Sequence, residues 1–389
     1  MPVKSKLKDK KFLEELYLKW GPGADADNSQ HEKDVLDKLR PHKNLKALHI
    51  LHYTGVVNLG PEIYYGTCSA AAGFQSFASL EILTFYSMPA WEQWGHEVDN
   101  GNDGSSCRAL PFPRLLELHL EECPRLIGNL PSDLPSLLNL RIRYCKQLTS
   151  SLPKAPALRA LHIDNCYNLE LPVVQGVHQW QHQSLESLEI HYSCHSLKSL
   201  PLDQFPNLKS LVIWGCENLE SFTVSEGNLQ LLTSLLSLCI WRCPKFMTFP
   251  HGGLPAPNLT CLKLRYCSKL KSLPERMNRL LLSLKELQVW SCVEIEAFPD
   301  GGKCENVESF PEEGLLPAAL IELEIRGFSN LRILDGKGLR QLTSLKKLEI
   351  FDCSKLESIM EEGLPASLID LDIWKCPLLH QHCKRGKAP

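Results

Sequence analysis

Apolar residues alternate with other residues in short runs along the chain, and each run predicts a half-buried β-strand. In the stretch LVIWGCENLESF, residues 211–222, Leu211 and Ile213 stand two positions apart, with a tryptophan and a cysteine close behind. Alternation with a period of two places every second side chain on one face of a strand. Trp214 therefore belongs to the opposite face, and Cys216 follows the predicted strand.

This pattern recurs through most of the chain at a nearly constant spacing. The form L-x-x-L-x-I-x-x-C-x-x-L, with related residues at some positions, begins at Leu115, Leu137, Leu158, Leu185, Leu208, Leu235, Leu259, Leu284, Leu320, Leu345 and Leu368. Successive copies begin 21 to 27 residues apart, except for one interval of 36 residues. Leucine-rich repeats have periods of ~20–29 residues, and a single repeat cannot bury its own apolar face.

The sequence therefore predicts an α/β repeat solenoid. It is a leucine-rich-repeat horseshoe with a parallel β-sheet on the concave face and irregular or 3₁₀ turns on the convex face. The Leu-Pro pairs that follow several of the cysteines exclude a regular helix interior there, since proline lacks a backbone N–H and clashes with the preceding turn.

Three segments of different regularity are predicted. Residues 1–110 hold irregular N-terminal repeats, which two acidic loops interrupt at 21–34 and 95–107. The stretch DVLDKLRPH after the first loop predicts a short helix that ends at Pro41. Residues 111–379 form the regular repeat array, and residues 380–389 form a truncated C-terminal cap or tail.

Nine cysteines occupy one position of the repeat: Cys123, Cys145, Cys166, Cys216, Cys243, Cys267, Cys292, Cys353 and Cys376. A thiol is small, mostly apolar and a weak donor, so it can fill a buried turn position. A line of one thiol per coil does not easily supply four tetrahedral zinc ligands. Strands ~4.8 Å apart would permit disulfide distances, but parallel Cβ directions and a reducing compartment argue against disulfides. We expect structural core cysteines and no metal site.

The residue after the second buried position of each strand faces the concave side. In chain order these residues are Glu121, Arg143, Asp164, His191, Trp214, Trp241, Arg265, Trp290, Arg326, Phe351 and Trp374. We call the first four the charged row and the last seven the aromatic row. Trp and Arg dominate interface hot spots, so the sequence predicts a concave partner-binding surface with an aromatic half and a charged half. The alternative is that the row only stiffens the sheet.

Composition narrows the classes of function. The 389 residues carry a net charge of -3, with 43% hydrophobic and 22% charged residues. Such a chain is foldable and has no general attraction to nucleic acid or anionic lipid. The first twenty residues lack the apolar stretch of a secretory signal, and no run of ~18 apolar residues predicts a membrane span. We expect a cytoplasmic protein without a nucleic-acid partner or membrane insertion.

Candidate metal and catalytic clusters are weak. The stretch HQWQH, residues 178–182, has two histidines at a metal-ligand spacing but lacks a third ligand nearby in sequence. The stretch CPLLHQHC, residues 376–383, is a denser group that fits an end cap better. The sequence contains neither a phosphate-binding GxxxxGK[ST] loop nor an assembled catalytic constellation. We therefore expect no enzyme, no catalytic residue and no cofactor.

Several stretches carry a more specific signal when they are taken together: LKDKKFLEELYLKW (7–20), VLDKLRPHKNLKALHI (35–50), SLEILTFYSMPAWEQW (79–94), CPRLIGNLPSDLPSL (123–137) and CPLLHQHCKRGK (376–387). They resemble the leucine-rich-repeat region of coiled-coil-type plant nucleotide-binding immune receptors, the disease resistance proteins. The resemblance implies recognition of a pathogen effector or host protein, and restraint of an adjoining nucleotide-binding domain. That domain, the family's site for ADP or ATP, is absent from this sequence.

Two stretches depart from the family pattern. YTGVVNLGPEIYYG, residues 53–66, resembles two family segments run together, and CENVESFPEEG, residues 304–314, resembles a repeat without its strand. The second stretch lies in the 36-residue interval.

The leading hypothesis is a protein-binding leucine-rich-repeat module of a plant intracellular immune receptor. Its partner would be a pathogen effector, a guarded host protein or a nucleotide-binding domain of its own family. The alternative is a substrate-recognition leucine-rich-repeat subunit of a ubiquitin ligase, which would need an F-box-like helical module. An extracellular receptor ranks third, because only residues 258–260 form a glycosylation sequon.

Overall fold

The computed structural model describes Leu7 and residues 10–20, 44–59, 77–94, 112–128, 130–171, 183–224, 232–295, 309–359 and 364–379. These residues fall into two compact units, and each unit is a stack of coils. The first unit comprises Met1–Leu185 with Tyr192–Cys194, and the second comprises Glu186–His191 with His195–Pro389. The predicted helix before Pro41, both acidic loops, the HQWQH stretch and the tail 380–389 lie outside the described residues.

The first unit is built on a parallel sheet with one five-residue strand from each coil. The strands of this unit are β1 Glu15–Lys19, β2 Ala47–Leu51, β3 Asn58–Leu59, β4 Ile82–Tyr86, β5 Gln93–Trp94, β6 Glu117–Glu121, β7 Asn139–Arg143 and β8 Ala160–Asp164. The main sheet has the order β1-β2-β4-β6-β7-β8, while β3 and β5 form a separate pair. Strand neighbours pair in register, so that Leu118 stands opposite Leu140 and Leu120 opposite Ile142.

The second unit repeats this arrangement over more coils. Its strands are β9 Ser187–His191, β10 Ser199–Pro201, β11 Ser210–Trp214, β12 Ser221–Thr223, β13 Ser237–Trp241, β14 Cys261–Arg265, β15 Glu286–Trp290, β16 Ser309–Phe310, β17 Glu322–Arg326, β18 Ile333–Leu334, β19 Lys347–Phe351, β20 Ser358–Ile359 and β21 Asp370–Trp374. The main parallel sheet has the order β9-β11-β13-β14-β15-β17-β19-β21. The predicted parallel-sheet repeat solenoid is confirmed.

The core of each coil consists of the leucine positions of the repeat. In the coil of β11, Leu211, Ile213 and Leu219 are fully buried, and Phe222 is 1% exposed. Leu211 stands opposite Leu238 and Ile213 opposite Ile240 of the next coil, since the strands pair without a shift of register. Burial of one such side chain contributes about 1.5–3 kcal/mol, so the stack of coils supplies the main stabilisation of the fold.

The return side of the coils holds few helices among the residues that the structure describes. They include a 3₁₀ turn at Leu202–Gln204, α1 at Met277–Leu280 and α2 at Gly336–Arg340. The Asp335 side chain caps α2 by accepting hydrogen bonds from the backbone N–H groups of Lys337 and Gly338. The sequence predicts the 3₁₀ and irregular turns but not the small sheets β10-β12 and β16-β18-β20. Strands of two or three residues are too short to show a periodicity in sequence.

The 36-residue interval contributes no strand to the main sheet within its described residues. Strand β15 pairs directly with β17, and Leu287 stands opposite Leu323. The described end of the shortened repeat, residues 309–314, instead supplies β16 to the three-stranded sheet of the return side.

Candidate partner-binding surface

A left-handed residue ends nearly every strand of the main sheets. Thirteen such positions, each directly after a strand, have a positive φ: His52, Ser87, Glu122, Tyr144, Asn165, Tyr192, Gly215, Arg242, Tyr266, Ser291, Gly327, Asp352 and Lys375. The N–H of Arg242 donates to the Arg265 carbonyl at 2.9 Å, and the N–H of Tyr266 donates to the Trp290 carbonyl at 2.8 Å. This turn leaves the last strand residue on the exposed face and directs the next side chain, in most coils a cysteine, into the core.

The repeat cysteines fill this turned-in position. All nine predicted core cysteines are 0–2% exposed, and Cys194, which an extra residue displaces, is 1% exposed. The Cys243 thiol donates to the Trp241 carbonyl at 3.5 Å and to the Ile213 carbonyl at 3.9 Å. Burial raises the pKa of Cys243 to about 12. This thiol is therefore a protonated donor to backbone carbonyls at neutral pH, and the described cysteines are unbridged.

The first part of the aromatic row is a stack of rings. The Trp214 and Trp241 rings lie 4.6 Å apart between centroids with an interplanar angle of 6°. The His191 and Trp214 rings meet edge to face, with centroids 5.5 Å apart. The sequence predicts His191 in the charged row, but in the structure it is the first contact of the aromatic row.

The rest of the aromatic row alternates guanidinium groups with rings. The Arg265 guanidinium lies 3.7 Å from the Trp290 ring centroid and 5.7 Å from that of Trp241. The Arg326 guanidinium lies 5.3 Å from the Trp290 ring and 4.2 Å from the Phe351 ring. Cation–π contacts of this kind contribute about 0.5–1 kcal/mol each at exposed sites.

The row ends at the ring pair of Phe351 and Trp374, whose centroids lie 6.4 Å apart. Trp374 is 61% exposed, whereas the other six residues of the row are half-buried. Contacts thus run without a gap from β9 to β21. The indole of Trp374 is the most open surface of the row.

The three charged-row residues of the first unit, Glu121, Arg143 and Asp164, pair with one another. The Arg143 guanidinium lies 3.7 Å from the Glu121 carboxylate and 3.3 Å from that of Asp164. Asp164 also accepts a hydrogen bond of 2.7 Å from the Asn165 side chain. Asp164 is only 7% exposed, contrary to the expected exposure of this row, because these partners surround its carboxylate.

Three residues of the left-handed turns extend the aromatic row and were not predicted. The Arg242 guanidinium lies 6.0 Å from the Trp241 ring and 5.9 Å from the Tyr266 ring. The Lys375 ammonium lies 5.3 Å from the Phe351 ring. Each of the three directly precedes a repeat cysteine, which is the sequence signal that could have found them. We call Arg242, Tyr266 and Lys375 the rim.

Two protein families match parts of the chain. Residues 3–99 match the leucine-rich repeats of the R13L1/DRL21 family, and residues 247–377 match the leucine-rich repeats of the family of plant disease resistance proteins like RPS2. Both matches agree with the predicted resemblance.

Several curated proteins are similar to most of the chain. A putative disease resistance protein of Arabidopsis thaliana is 35% identical over 308 residues, which cover 68% of this chain and 21% of that protein. A putative disease resistance RPP13-like protein of the same plant is 26% identical over 322 residues, which cover 68% of this chain and 28% of that protein. The chain thus spans between a fifth and three tenths of the length of these relatives.

Several of the solved structures to which the chain is similar are of leucine-rich-repeat proteins. One from Leptospira interrogans covers 98% of this chain and 90% of its own chain, with 17% identity and a TM-score of 0.42. Among the described helices, none is long and apolar enough to cross a membrane.

Proposed function

We propose a protein-binding role for this chain, from the premise that it is a leucine-rich-repeat array of the kind found in plant disease resistance proteins. In this role the aromatic row and the rim form the partner surface. The proposed partner is a pathogen effector, a guarded host protein or a nucleotide-binding domain of the same family, which the array would restrain. The proposed place of action is the plant cytoplasm.

One observation carries this proposal: the contacts of the aromatic row continue over eight neighbouring strands. Monomeric proteins rarely leave a contiguous apolar surface of this kind exposed unless it binds something. Tryptophan and arginine are also the residues that contribute most to interface hot spots. With the rim included, this sheet face carries four tryptophans and three arginines. Such a face is better suited to binding a protein than to binding a small molecule.

The alternative is that the row only stiffens the sheet. The parallel stack of Trp214 on Trp241 supports this alternative, because stacked ring faces satisfy one another. The two roles are compatible, since hot-spot residues held in place by neighbours lose little conformational entropy on binding.

The experiment replaces Trp214 and Trp241 together with alanine and measures the affinity for a partner identified by co-purification with the unmodified chain from plant tissue. We expect the affinity to fall by a factor of about 30 or more, since hot-spot truncations cost about 2 kcal/mol or more. A matched variant, Tyr17→Ala with Tyr144→Ala, removes two exposed rings from the first unit. It should retain the affinity.

The stiffening alternative predicts a different result. In that case the Trp214→Ala, Trp241→Ala variant would melt at a lower temperature and bind the partner as tightly as the unmodified chain. The dissociation constant of the purified partner, measured by titration calorimetry with each purified variant, would distinguish the two outcomes.

A further inference from the structure

The exposed face of the last four main-sheet strands is strongly acidic beside the aromatic row. In each of these four strands the first, third and fifth residues are half-buried or exposed, and the fifth belongs to the aromatic row. In β15, β17, β19 and β21 the other two positions carry Glu286, Gln288, Glu322, Glu324, Lys347, Glu349, Asp370 and Asp372. We call these eight positions the acidic columns. They contain six carboxylates and one ammonium group.

The strand register places three of these carboxylates in line. Glu324 stands opposite Glu349, and Glu349 stands opposite Asp372. Neighbouring strands lie ~4.8 Å apart, and like charges directly opposite each other on paired strands are destabilising. Burial, and the neighbouring Glu349 carboxylate, raise the pKa of Glu324 above its ordinary value. This arrangement favours the approach of a cation.

Basic side chains of the chain compensate only part of this charge. The Lys347 ammonium lies 2.7 Å from the Glu349 carboxylate, and Lys263 on β14 lies 3.0 Å from Glu286. The charges of Arg265 and Lys347 also act to lower the pKa of Glu324, although its net shift is upward. Glu322, Asp370 and Asp372 are exposed to solvent. A ligand could therefore reach these carboxylates without displacing an internal partner from the core.

The acidity is not a general property of the repeat. Over six main-sheet strands, the first positions of the first unit carry two carboxylates, Glu15 and Glu117. The third positions carry none: Tyr17, His49, Thr84, His119, Arg141 and His162. The same coil geometry thus carries different electrostatics on the two units. Charge of one sign beside hot-spot residues fixes which partner can dock and in what orientation.

We propose that the acidic columns, together with the adjoining end of the aromatic row at Phe351 and Trp374, bind an extended lysine- or arginine-rich segment of the protein partner. This inference rests on the proposed function, and it adds the chemistry of the partner segment. Basic side chains of the segment pair with Glu324 and Asp372 and offset the repulsion along the line of carboxylates. One of its apolar or cationic side chains packs on the exposed indole of Trp374.

The test uses the complete chain and two fluorescein-labelled twelve-residue peptides. One alternates lysine with serine around a central tryptophan, and the other has glutamate in place of every lysine. Fluorescence anisotropy gives the dissociation constants. The Glu324→Gln, Asp372→Asn variant removes two charges from the acidic columns, and the Glu217→Gln, Glu294→Gln variant removes two charges from exposed turns after β11 and β15.

We expect the lysine peptide to bind and the glutamate peptide not to bind. The acidic-column variant should bind the lysine peptide roughly three- to thirtyfold more weakly, since each exposed charge pair contributes modestly. The turn variant should retain the dissociation constant to within about twofold, since solvent and salt screen charges that lie away from the bound peptide. Since the acidic-column variant loses like-charge repulsion, we expect it to fold normally. Circular dichroism of both variants is the control for this.

Two results would overturn the inference: an acidic-column variant that binds as the unmodified chain does, or a turn variant that weakens the binding equally. The proposed function fails separately. If the Trp214→Ala, Trp241→Ala variant keeps the affinity for the purified partner, the aromatic-row proposal is wrong whatever the peptides do. If that variant loses the partner while the acidic-column variant keeps the lysine peptide, only the present inference is wrong.

Discussion

At the scale of single residues, the position before the repeat cysteine controls how each coil turns. A non-glycine residue in the left-handed conformation costs roughly 1–2 kcal/mol. Tyr266 and Arg242 adopt this conformation, and its cost is offset by a hydrogen bond to the next strand and by burial of the following cysteine. Gly215 and Gly327 adopt the same conformation without the cost. The turn also places Tyr266 and Arg242 beside the aromatic row, which links backbone conformation to the proposed surface.

Substitutions at two neighbouring glycines distinguish the cost of backbone strain from the cost of steric overlap. Gly252 has φ +84° and open space where a Cβ would stand, whereas a Cβ on Gly253, at φ +102°, would overlap the Glu275 carbonyl oxygen. We expect Gly252→Ala to lower the free energy of unfolding by about 1–2 kcal/mol. Gly253→Ala should cost about 1–3 kcal/mol more, because the overlap is with backbone. Urea unfolding of the two variants tests this, and equal losses would contradict it.

The buried thiols predict a loss of stability in alkali. Burial raises the pKa of Cys243 from 9.0 to about 12, so the unfolded chain releases the proton at lower pH than the folded chain. Stability is then complete below the unfolded pKa and declines as the pH rises toward the folded pKa. For this thiol alone the free energy of unfolding should fall by about 1 kcal/mol between about pH 9 and pH 10.

The measurement is urea unfolding under reducing conditions across this pH range. Cys243→Ala should be less stable at neutral pH but lose about 1 kcal/mol less than the unmodified chain between about pH 9 and pH 10. Cys239→Ala removes a half-buried thiol from the exposed face of the same strand, β13, and it should change the slope less. Identical slopes for the unmodified chain and Cys243→Ala would show that this thiol does not contribute.

At the scale of strands, like charges on β17 and β19 predict a stabilising substitution. Glu324→Gln removes the repulsion with Glu349 and keeps an oxygen that can accept a hydrogen bond. We expect the free energy of unfolding to rise by about 0.2–1 kcal/mol at neutral pH. Because the folded pKa of Glu324 is raised, the gain should grow as the pH rises above the ordinary glutamate pKa and vanish in acid.

Thermal unfolding of Glu324→Gln at neutral and acidic pH checks the sign. Glu217→Gln, in an exposed turn, serves as the control and should leave the melting temperature unchanged at both pH values. A destabilised Glu324→Gln would mean that the glutamate pairs favourably with its surroundings.

The strands and the aromatic row were predictable because their signals are periodic and local. Leu211 and Ile213 mark the buried face, and the repeat register places Trp214 next to Trp241 without knowledge of the structure. The rim was missed because the direction of the Arg242 side chain depends on a left-handed φ, which no residue type at that position requires. The acidic columns were missed because each strand contributes only one or two carboxylates, and their alignment appears only in the pairing of Glu324, Glu349 and Asp372.

At the scale of the whole chain, the boundary predicted from the regularity of the repeats differs from the boundary between the two compact units. The sequence predicts a change of regularity after residue 110, and that boundary stays a prediction. The compact units instead divide near Leu185, within the segment predicted to be regular. Repeat arrays permit this difference, because each coil contacts only its neighbours and a boundary can fall wherever contacts thin out. The aromatic row and the acidic columns both lie on the second unit.

This architecture predicts that damage to one coil spreads only to its neighbours. Leu264 on β14 is fully buried, and its truncation to alanine should lower the stability by about 2–5 kcal/mol. In native-state hydrogen exchange of this variant, the amides of β13, β14 and β15 should lose most of their protection, while those of β6 and β7 should retain it. The reason is that the stability of a solenoid is a sum of terms between neighbouring coils. Leu140→Ala on β7 is the matched control, and it should give the opposite pattern. An equal loss of protection in all strands for both variants would instead show that the array unfolds as a single cooperative body. A partner bound to the acidic columns would then stabilise every coil alike.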